Sequence, residues 1–548
     1  MGKLSSLASS ARQSVADAVF EAKVLREAGI LGPVRPDKGA RLATTFLRWG
    51  ASPATGIATA AIHHPNETAL IDELGSLTFE QLHRRSNSLA HAFAGMGIGE
   101  GDGLGVMCRN HRGFVEATLA AAKLGASALY LNTMFAGPQL VEVTHREQPK
   151  ALVYDEEFAE LLDGVGESVQ RIVAWNSGDA DAPTIEGLIA ANDDSNLKPP
   201  ADKPRFVILT SGTTGAPKGA QRSSPDGLLA LAALIDKIPF RSRETIMIAA
   251  PLFHSWGFLH LVISLPTAST IVLQRRFDPE ATLRATQQYR AQVLAAVPVM
   301  VQRILRLPGE TLDSYDLPAL RVTSLSGSAL PGELAIEWMD RFGDTIYNLY
   351  GSTEVAYATV ATPEDLRAAP GTAGRPPRGT VVRLYDEQGR EVPRGQVGRI
   401  FVGNEMSFEG YTGGGGKEVI DGLLSSGDVG HLDEAGRLFV DGRDDEMIVS
   451  GGENVFPREV EDLLADHESV VEVAVIGVED EEFGQRLKAF VVVAAEAEVS
   501  EDELKAHVKA NLASYKTPRD VEFLDELPRN ATGKILKRKL YDQEMQRG

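Results

Sequence analysis

Apolar residues occur in two alternating patterns along the first two thirds of the chain. Short runs rich in β-branched and other apolar residues are separated by segments in which apolar positions recur at helical spacing, as in residues 114–124. This alternation predicts mostly parallel strands joined by helices, and Thr78 is placed to cap the helix that continues through Phe93. The predicted strands of this kind are residues 103–108, 127–131, 151–154, 245–250, 269–273, 293–297 and 322–326.

The pattern changes at about residue 381. Short strands at 381–385, 398–402 and 438–440 are separated by Gly-rich turns, which is typical of a small β-barrel or β-subdomain. After residue 442, two helical segments and three strand-like runs indicate a compact α+β unit of roughly 100 residues, a sufficient size for a domain. The fold class predicted is therefore α/β, with a β-rich section and a small C-terminal α+β domain.

The N-terminal segment has a helical pattern. Apolar residues between Leu4 and Leu31 form one broad face, with both signs of charge on the other. Two interpretations remain open: packing against the large domain, and attachment to a membrane surface, which usually needs an excess of Lys and Arg. With no signal-peptide core and no run of about 18 apolar residues, we expect a cytoplasmic protein, with peripheral contact to the inner membrane face as the alternative.

Size and charge narrow the function class. The chain has 548 residues, more than the roughly 250 to 300 that one core usually serves, so at least two domains are expected. Its formal charge of -21 argues against nucleic acid as a partner. Cys108 is the only cysteine, which excludes an internal disulfide. Its apolar surroundings favour a packed core thiol.

Residues 210–220, TSGTTGAPKGA, form the most informative segment and follow an apolar strand-like run. Glycines allow backbone N–H groups to approach an anion closely, hydroxyl groups add donors, and Lys218 adds a positive charge. The spacing differs from a Walker loop because Gly212 and Gly215 are three residues apart. The alternative is an ordinary surface turn. The candidate phosphate-binding residues are Thr210, Ser211, Gly212, Thr213, Thr214, Gly215 and Lys218.

Further polar groups follow predicted strands, where α/β sheets bind their ligands. His254 lies in PLFHSWG beside two aromatic residues, and the small residues Ser326, Gly327, Ser328 and Ala329 leave room for a flat ring. The segment NLYGSTE offers the aromatic face of Tyr350 and the carboxylate of Glu354, which suits Mg²⁺. A lone histidine is more often structural than functional, so PLFHSWG is weak by itself.

The last third of the chain adds a carboxylate, a guanidinium and a lysine. Asp428 suits a ribose diol, and Arg443 can donate to the same sugar or to a phosphate. Lys534 lies in the turn sequence NATGK, and its alternative interpretation is a solvated lysine near the C-terminus.

Together these motifs resemble the adenylate-forming superfamily of acyl-CoA synthetases, nonribosomal peptide adenylation domains and beetle luciferases. The resemblance extends from about residue 51 to 541 and rests on TSGTTGAPKGA, PLFHSWG, YGSTE, SSGDVG, GRDDEMIVSGGENVFPREVE and NATGKILKR. SGGENVFPREVE and the N-terminal extension look most like bacterial, especially actinobacterial, fatty acyl-CoA synthetases. Residues 411–424 are shorter and richer in glycine than the usual family segment. Val449 and Gly451 occupy places where luciferases carry lysines, which argues against luciferase chemistry.

The resemblance implies a domain organisation and a reaction. It implies an N-terminal helical extension (1–50), a large domain of two α/β subdomains and a β-barrel-like subdomain (51–442), a hinge (443–446) and a mobile α+β C-terminal domain (447–548). A carboxylate attacks the α-phosphorus of ATP to give acyl-AMP and pyrophosphate, and the thiol of CoA then displaces AMP. The expected cofactors and co-substrates are ATP, Mg²⁺ and CoA. The expected activity is that of a medium- or long-chain fatty acyl-CoA synthetase.

The resemblance also assigns roles to residues. The implied catalytic residues are Lys534, Glu354, Thr210 and His254, with Glu354 on the metal, Asp445 as the hinge, and Trp256, Phe258, Val262 and Ser326 in the substrate pocket. The implied nucleotide- and CoA-binding residues are Ser211, Gly212, Thr213, Thr214, Gly215, Lys218, Gly327, Ser328, Ala329, Asn348, Tyr350, Gly351, Ser352, Thr353, Asp428, Arg443, Gly451 and Gly452. The alternatives left open are an aryl or other carboxylate–CoA ligase, an acyl-AMP ligase that loads a carrier protein, a nucleotide-binding protein without catalysis, and assembly as a homodimer.

Overall fold

The computed structural model describes residues 2–32, 36–50, 52–178, 180–201, 205–210, 218–222, 227–406, 408–411, 416–450, 453–480, 484–494, 497–530 and 533–547. In these ranges the α-helices are α1 Gly2–Glu27, α2 Pro36–Trp49, α3 Pro53–His63, α4 Phe79–Gly95, α5 Arg112–Leu124, α6 Gly137–Glu147, α7 Ile185–Ala191, α8 Leu229–Lys237, α9 Ser255–Ser264, α10 Pro279–Gln288, α11 Pro298–Leu305, α12 Gly309–Asp313, α13 Gly332–Phe342, α14 Pro363–Ala368, α15 Pro457–Ala465, α16 Glu501–Asn511 and α17 Lys537–Arg547. Short 3-10 helices cover Glu156–Leu162, Asp444–Glu446 and Ser514–Lys516.

Strands occur throughout the described residues, and in the first two thirds of the chain they alternate with these helices. They are β1 Thr68–Asp72, β2 Gly75–Thr78, β3 Gly103–Met107, β4 Ser127–Tyr130, β5 Ala151–Asp155, β6 Gln170–Trp175, β7 Phe206–Thr210, β8 Lys218–Arg222, β9 Thr245–Ile248, β10 Thr270–Leu273, β11 Val293–Ala296, β12 Val322–Leu325, β13 Ile346–Tyr350, β14 Thr359–Ala361, β15 Val381–Tyr385, β16 Gly398–Gly403, β17 Phe408–Tyr411, β18 Val419–Ile420, β19 Leu423–Leu432, β20 Leu438–Arg443, β21 Ile448–Ser450, β22 Glu453–Val455, β23 Val470–Asp480, β24 Gly484–Val493 and β25 Asp520–Phe523.

Two mostly parallel sheets form the α/β part. One has eight strands in the order β14-β13-β12-β11-β9-β10-β1-β2, with antiparallel pairs only at its two edges in the described register. The other has seven strands in the order β17-β8-β7-β4-β3-β5-β6, and β7, β8 and β17 pair antiparallel. These sheets confirm the α/β fold class with two α/β units in the large domain.

The β-rich section and the C-terminal unit each have a sheet of their own. Antiparallel strands β15-β16-β19-β18, with β20 beside β19, form the predicted β-subdomain. Strands β22-β21-β24-β23, with β25 parallel to β24, form the C-terminal sheet, and α15, α16 and α17 accompany it. The small α+β C-terminal domain is thereby confirmed.

Local sequence explains two features that organise the large domain. The Thr78 side chain accepts a hydrogen bond from the Gln81 amide at 3.2 Å, and the Gln81 side chain accepts one from the Thr78 amide at 2.8 Å. This capping box starts α4 as predicted. Helix α5 is buried at nearly every position because it lies between other helices and the sheet strands, which its largely apolar sequence permits.

The two sheets meet at the carboxyl ends of their strands. Asn110, which follows β3, donates from Nδ2 to the carbonyl oxygens of Ile248 and Ala250 at 3.3 and 2.9 Å. Its Oδ1 accepts from the amide of Leu252 at 2.8 Å. The ends of β3 and β9 are therefore neighbours, and loops that leave both sheets share one region.

The C-terminal half of α1 packs on the large domain. Val24, Leu25 and Ala28 are buried against it, and α1 contacts α8. Arg378 donates to Asp17 at 2.9 Å and lies 4.7 Å from the ring centroid of Phe20. These contacts support the packing interpretation for this half of the helix. In the described ranges, no helix is both long and apolar enough to span a bilayer.

Cys108 is fully buried beyond the end of β3. Its thiol donates to the Val153 carbonyl oxygen at 3.7 Å, and burial raises the pKa of the thiol well above its ordinary value. The prediction of a core thiol is confirmed.

Candidate active site

The predicted phosphate loop lies between two paired strands. Strands β7 and β8 run antiparallel, with Thr210 opposite Lys218. The intervening residues, which include Ser211, Gly212, Thr213, Thr214 and Gly215, lie outside the described residues, as do the side chains of Thr210 and Lys218. The hairpin starts from β7 beside β4, at the carboxyl edge of the seven-stranded sheet.

Tyr350, Asp428 and Arg443 form a connected polar group, which we call the ribose corner. The Tyr350 hydroxyl donates to Asp428 Oδ2 at 2.6 Å, and Arg443 Nη1 donates to Asp428 Oδ1 at 3.2 Å. Strand pairing places Asp428 opposite Arg443 across β19 and β20. Burial, followed by the neighbouring Asp428 charge, raises the pKa of Tyr350 well above its ordinary value. Tyr350 therefore acts here as a neutral hydrogen-bond donor.

A second cation, Lys417, lies near this corner, next to Gly427. The φ of +82° at Gly427 favours glycine, and an added Cβ would lie 3.2 Å from Arg443 Nη1 and 3.3 Å from Lys417 Nζ. The ammonium group of Lys417 and the guanidinium of Arg443, which pairs with Asp428, thus both lie close to Gly427.

The loop after Tyr350 is tightly folded. A Cβ at Gly351 would lie 2.2 Å from the Ala356 carbonyl oxygen, so a larger residue does not fit. The Ser352 hydroxyl donates to Glu354 Oε2 at 2.9 Å and accepts from the Glu354 amide at 3.2 Å. Thr353 and Glu354 are half-buried. The loop therefore presents a carboxylate and hydroxyl groups from a fixed backbone.

Asn404 holds the far side of the same loop. Its Nδ2 donates to the carbonyl oxygens of Val355 and Tyr357, both at 2.8 Å. These two bonds tie the loop to the β-subdomain through the segment that follows β16. Asn404 therefore holds the backbone that directly follows Glu354.

Small residues and a buried amide complete this edge of the eight-stranded sheet. Ser326 is buried after β12, Gly327 has a φ of +95°, and Ser328 and Ala329 follow it. Asn348 on β13 is 7 % exposed, and no partner of its Oδ1 occurs among the described residues. An unpaired buried acceptor is costly, so this oxygen suits a ligand donor such as an amino group.

His254 immediately precedes α9. Its Nε2 is buried and has no hydrogen-bond partner in the described part of the chain, and its ring lies 4.5 Å from that of Phe253. Burial lowers the pKa of His254 to about 4, so the imidazole is neutral at physiological pH. A Cβ at Gly257 would lie 2.3 Å from the Pro251 carbonyl oxygen, which fixes α9 closely against the strand end.

The predicted pocket residues on α9 face two directions. Trp256 Nε1 donates to the carbonyl oxygens of Ala296 and Ser324 at 3.0 and 3.2 Å, across the ends of β11 and β12. Phe258 instead packs with Tyr130 and Phe206, with ring centroids 4.8 and 5.2 Å away. Val262 is half-buried. Trp256 thus contacts the strand β12 that leads to Ser326, whereas Phe258 contacts the seven-stranded sheet.

The turn that carries Lys534 is closed by its own hydrogen bonds. The Asn530 amide donates to the Lys534 carbonyl oxygen at 2.9 Å, and the Lys534 amide donates to Asn530 Oδ1 at 2.8 Å. Gly533 has a φ of +78°, and its Cβ would lie 2.2 Å from Val299 Cγ1. Because Val299 follows β11, this contact brings the turn to the edge of the sheet where Trp256 and the small residues lie. The Lys534 side chain is exposed.

Asp445 lies in the 3-10 helix Asp444–Glu446 between β20 and β21, and its neighbours are bound to different domains. Arg399 of the β-subdomain donates to Asp444 Oδ2 at 3.0 Å, whereas Lys537 of α17 lies 3.2 Å from Glu446 Oε2 and 2.8 Å from Glu461 Oε1. Gly451 and Gly452, which come between β21 and β22 in the sequence, lie outside the described residues.

Sequence reasoning missed Lys417 and Asn404. Lys417 follows the glycine run at residues 413–416, and its charge beside glycines was the available signal. Asn404 bonds carbonyl oxygens that lie 49 and 47 positions earlier in the chain. Nothing in its local sequence indicates that contact.

Family comparisons agree with this arrangement of two unequal domains. The model of the AMP-binding enzyme family matches residues 57–412, and the model of the AMP-binding enzyme C-terminal domain matches residues 459–534.

Individual relatives match over most of their length. A feruloyl-CoA synthase from Amycolatopsis sp is 34% identical over 480 residues, which cover 86% of this chain and 95% of that protein. A fatty acid–[acyl-carrier-protein] ligase from Streptomyces coeruleorubidus is 31% identical, with 88% and 94% covered. The crystal structure of an anthranilate CoA ligase in complex with anthranoyl-AMP matches with a TM-score of 0.80 and 26% identity, and covers 90% of this chain and 96% of that one.

Proposed function

Because the chain belongs to the AMP-binding enzyme family and is an AMP-forming acid–CoA ligase, we propose that its acid substrate is a medium- or long-chain fatty acid. The observation that carries this proposal is the apolar character of the acyl side. Helix α9 carries Trp256 and Val262 and has no Asp, Glu, Lys or Arg, and burial keeps His254 and His260 neutral, so α9 offers no side-chain charge to a polar acid. The similarity to a fatty acid–[acyl-carrier-protein] ligase supports the same class.

The roles proposed for the polar residues follow from charge. The carboxylate and ATP are both anionic, so the first step needs fixed positive charge and donors around the phosphates. We assign Thr210, Ser211, Thr213, Thr214 and Lys218 to the β- and γ-phosphates and Thr353 to the α-phosphate. Lys534 would bridge the carboxylate and the α-phosphate as pyrophosphate leaves.

The ribose corner and its neighbours fit the rest of the nucleotide. Asp428 and Arg443 offer an acceptor and a donor to a ribose diol, and Tyr350 offers an aromatic face to adenine. Asn348 Oδ1, which has no partner among the described residues, suits the adenine amino group. The Glu354 carboxylate would hold Mg²⁺, an ion that prefers oxygen ligands and neutralises triphosphate charge.

An aryl acid is the second candidate, and one observation favours it. Two hydrogen bonds fix Trp256 across the ends of β11 and β12, and an indole held in place suits contact with an aromatic ring. The similarity to a feruloyl-CoA synthase agrees with this candidate.

A panel of acids tests both candidates. AMP release would be measured with alkanoic acids of increasing length and with benzoic, cinnamic and indoleacetic acids, each with and without CoA. A maximum in kcat/KM among medium or long alkanoic acids supports the fatty acid proposal, whereas a maximum among ring acids replaces it with the second candidate. AMP release that is unchanged by CoA with every acid would indicate a different acyl acceptor, such as a carrier protein.

A further inference from the structure

Arg306, at the end of α11, connects the large domain to the C-terminal domain. Its Nη2 donates to the carbonyl oxygen of Val471 on β23 at 2.7 Å. A guanidinium bonded to a neutral carbonyl is a directional contact. Burial lowers the pKa of Arg306, and the neighbouring Glu472 carboxylate opposes this shift. Arg306 therefore lies close to both a backbone carbonyl group and the Glu472 carboxylate of β23.

Glu472 in turn pairs with Arg529, which is bonded to the turn that carries Lys534. Glu472 Oε2 and Arg529 Nη2 are 3.0 Å apart, and their side chains are only 16 % and 18 % exposed. Arg529 also donates from Nη1 to the Gly533 carbonyl oxygen. A continuous set of charged and hydrogen-bonded groups thus leads from Arg306 to the residue that precedes Lys534.

The other end of α11 contacts the same turn directly. Val299, in the first turn of α11, packs so closely on Gly533 that a Cβ there would lie 2.2 Å from Val299 Cγ1. One helix of the large domain therefore holds β23 at its C-terminal end and the Lys534 turn at its N-terminal end.

We propose that Arg306 is a positioning residue for the adenylation step, which holds the C-terminal domain in the orientation that presents Lys534. This inference rests on the proposed role of Lys534. The equilibrium between two orientations of the C-terminal domain depends on the free energy of the contacts that differ between them. Loss of the Arg306 contact therefore reduces the population of the orientation that presents Lys534. In this proposal the C-terminal domain turns about Asp445 between the half-reactions, so that the thioester step uses another orientation and does not need the Arg306 contact.

The alternative role of Arg306 is local. A cation at the end of a helix interacts favourably with the helix dipole, and its loss would lower stability without distinguishing the two half-reactions. Arg303, exposed one turn earlier on the same helix, provides a matched control for the loss of a surface arginine.

The test compares Arg306→Ala, Arg306→Lys, Arg303→Ala and Lys534→Ala in the full-length protein. Adenylation is followed as ATP–pyrophosphate exchange with the acid selected by the panel, and thioester formation is followed from its preformed acyl-AMP and CoA. We expect Arg306→Ala to lower exchange about tenfold, as loss of a charge-assisted hydrogen bond implies, and to leave thioester formation unchanged. Arg306→Lys should restore most of the exchange, and Arg303→Ala should change neither reaction.

Each other outcome is decisive as well. Equal losses in both half-reactions, or a loss explained by a lower melting temperature, would assign Arg306 to local stability and overturn the proposal. Unchanged exchange in Arg306→Ala, with exchange abolished in Lys534→Ala, would overturn the role of Arg306 alone. Unchanged exchange in Lys534→Ala would overturn both that lysine's proposed role and the positioning role that depends on it.

Discussion

The ribose corner and the Lys534 turn, which we propose to serve one site, are held in different ways. Strand pairing between β19 and β20 places Asp428 opposite Arg443, and the Tyr350 hydroxyl bonds the same carboxylate, all within the large domain. The Lys534 turn is closed by bonds within the C-terminal domain and reaches the large domain through Val299 and Arg306. The first arrangement is preorganised, whereas the second depends on domain orientation.

This difference predicts different mutational patterns. The nucleotide's ribose is present in ATP and in acyl-AMP, so a change in the ribose corner should affect both half-reactions. A change in the Lys534 turn should affect only adenylation if, as we propose, the thioester step uses a different orientation of the C-terminal domain.

The largest effect is expected for Lys534→Ala. The change removes a charge aimed at the group that becomes more negative during attack on the α-phosphorus, and loss of one such donor costs about 100- to 1,000-fold in rate. ATP–pyrophosphate exchange should fall by that factor, while preformed acyl-AMP should still react with CoA. A mutant equally inactive in both assays would show that the lysine is structural and that the two regions do not differ.

A smaller loss is expected for Gly533→Ala. A residue with a side chain is strained at a φ of +78°, and its Cβ would overlap Val299. The strain alone costs about 1–2 kcal/mol, and we expect a decrease of at least about tenfold in exchange with thioester formation retained.

Val299→Ala offers a matched second-site test of this contact. The double variant Val299→Ala, Gly533→Ala removes the overlap but not the backbone strain, so it should recover part of the lost exchange. An identical loss in the single and double variants would mean that the close approach to α11 has no part in the effect.

Asp428→Asn should lower both half-reactions by similar factors, about tenfold each, because it removes the charge from an acceptor of two hydrogen bonds. The effect should be visible as a raised KM for ATP and a raised KM for acyl-AMP, measured separately. If only adenylation weakened, the ribose corner would behave like the Lys534 turn, and the comparison would fail.

Local chemistry explains which parts of the fold could be predicted. The parallel strands and the Thr78 cap depend on periodicity and on a capping box within four residues, and the structure confirms both. The proximity of Asp428 and Arg443 was expected from the family resemblance and follows from a two-strand register. The C-terminal α+β domain was likewise visible in the change of pattern after residue 442.

Contacts between distant backbone and side-chain groups could not be predicted. Arg306 bonds a carbonyl oxygen 165 residues away, and any residue of β23 could supply such an oxygen. Asn404 similarly bonds backbone groups of a loop in another part of the sequence. The opposite directions of Trp256 and Phe258 on α9 depend on how two sheets enclose that helix, so the shape of the acyl pocket could not be derived from residue types.

The central claim is that the two half-reactions use different orientations of the C-terminal domain, and Asp445→Pro tests it most directly. Asp445 lies between Asp444, bonded to Arg399, and Glu446, bonded to Lys537, and proline would restrict the backbone between these attachments to a φ near roughly -65°. Both half-reactions should be measured on one folded preparation whose melting transition matches that of the unmodified protein. We predict that ATP–pyrophosphate exchange persists while acyl-CoA formation from preformed acyl-AMP collapses. Full acyl-CoA synthesis by this variant would contradict the claim.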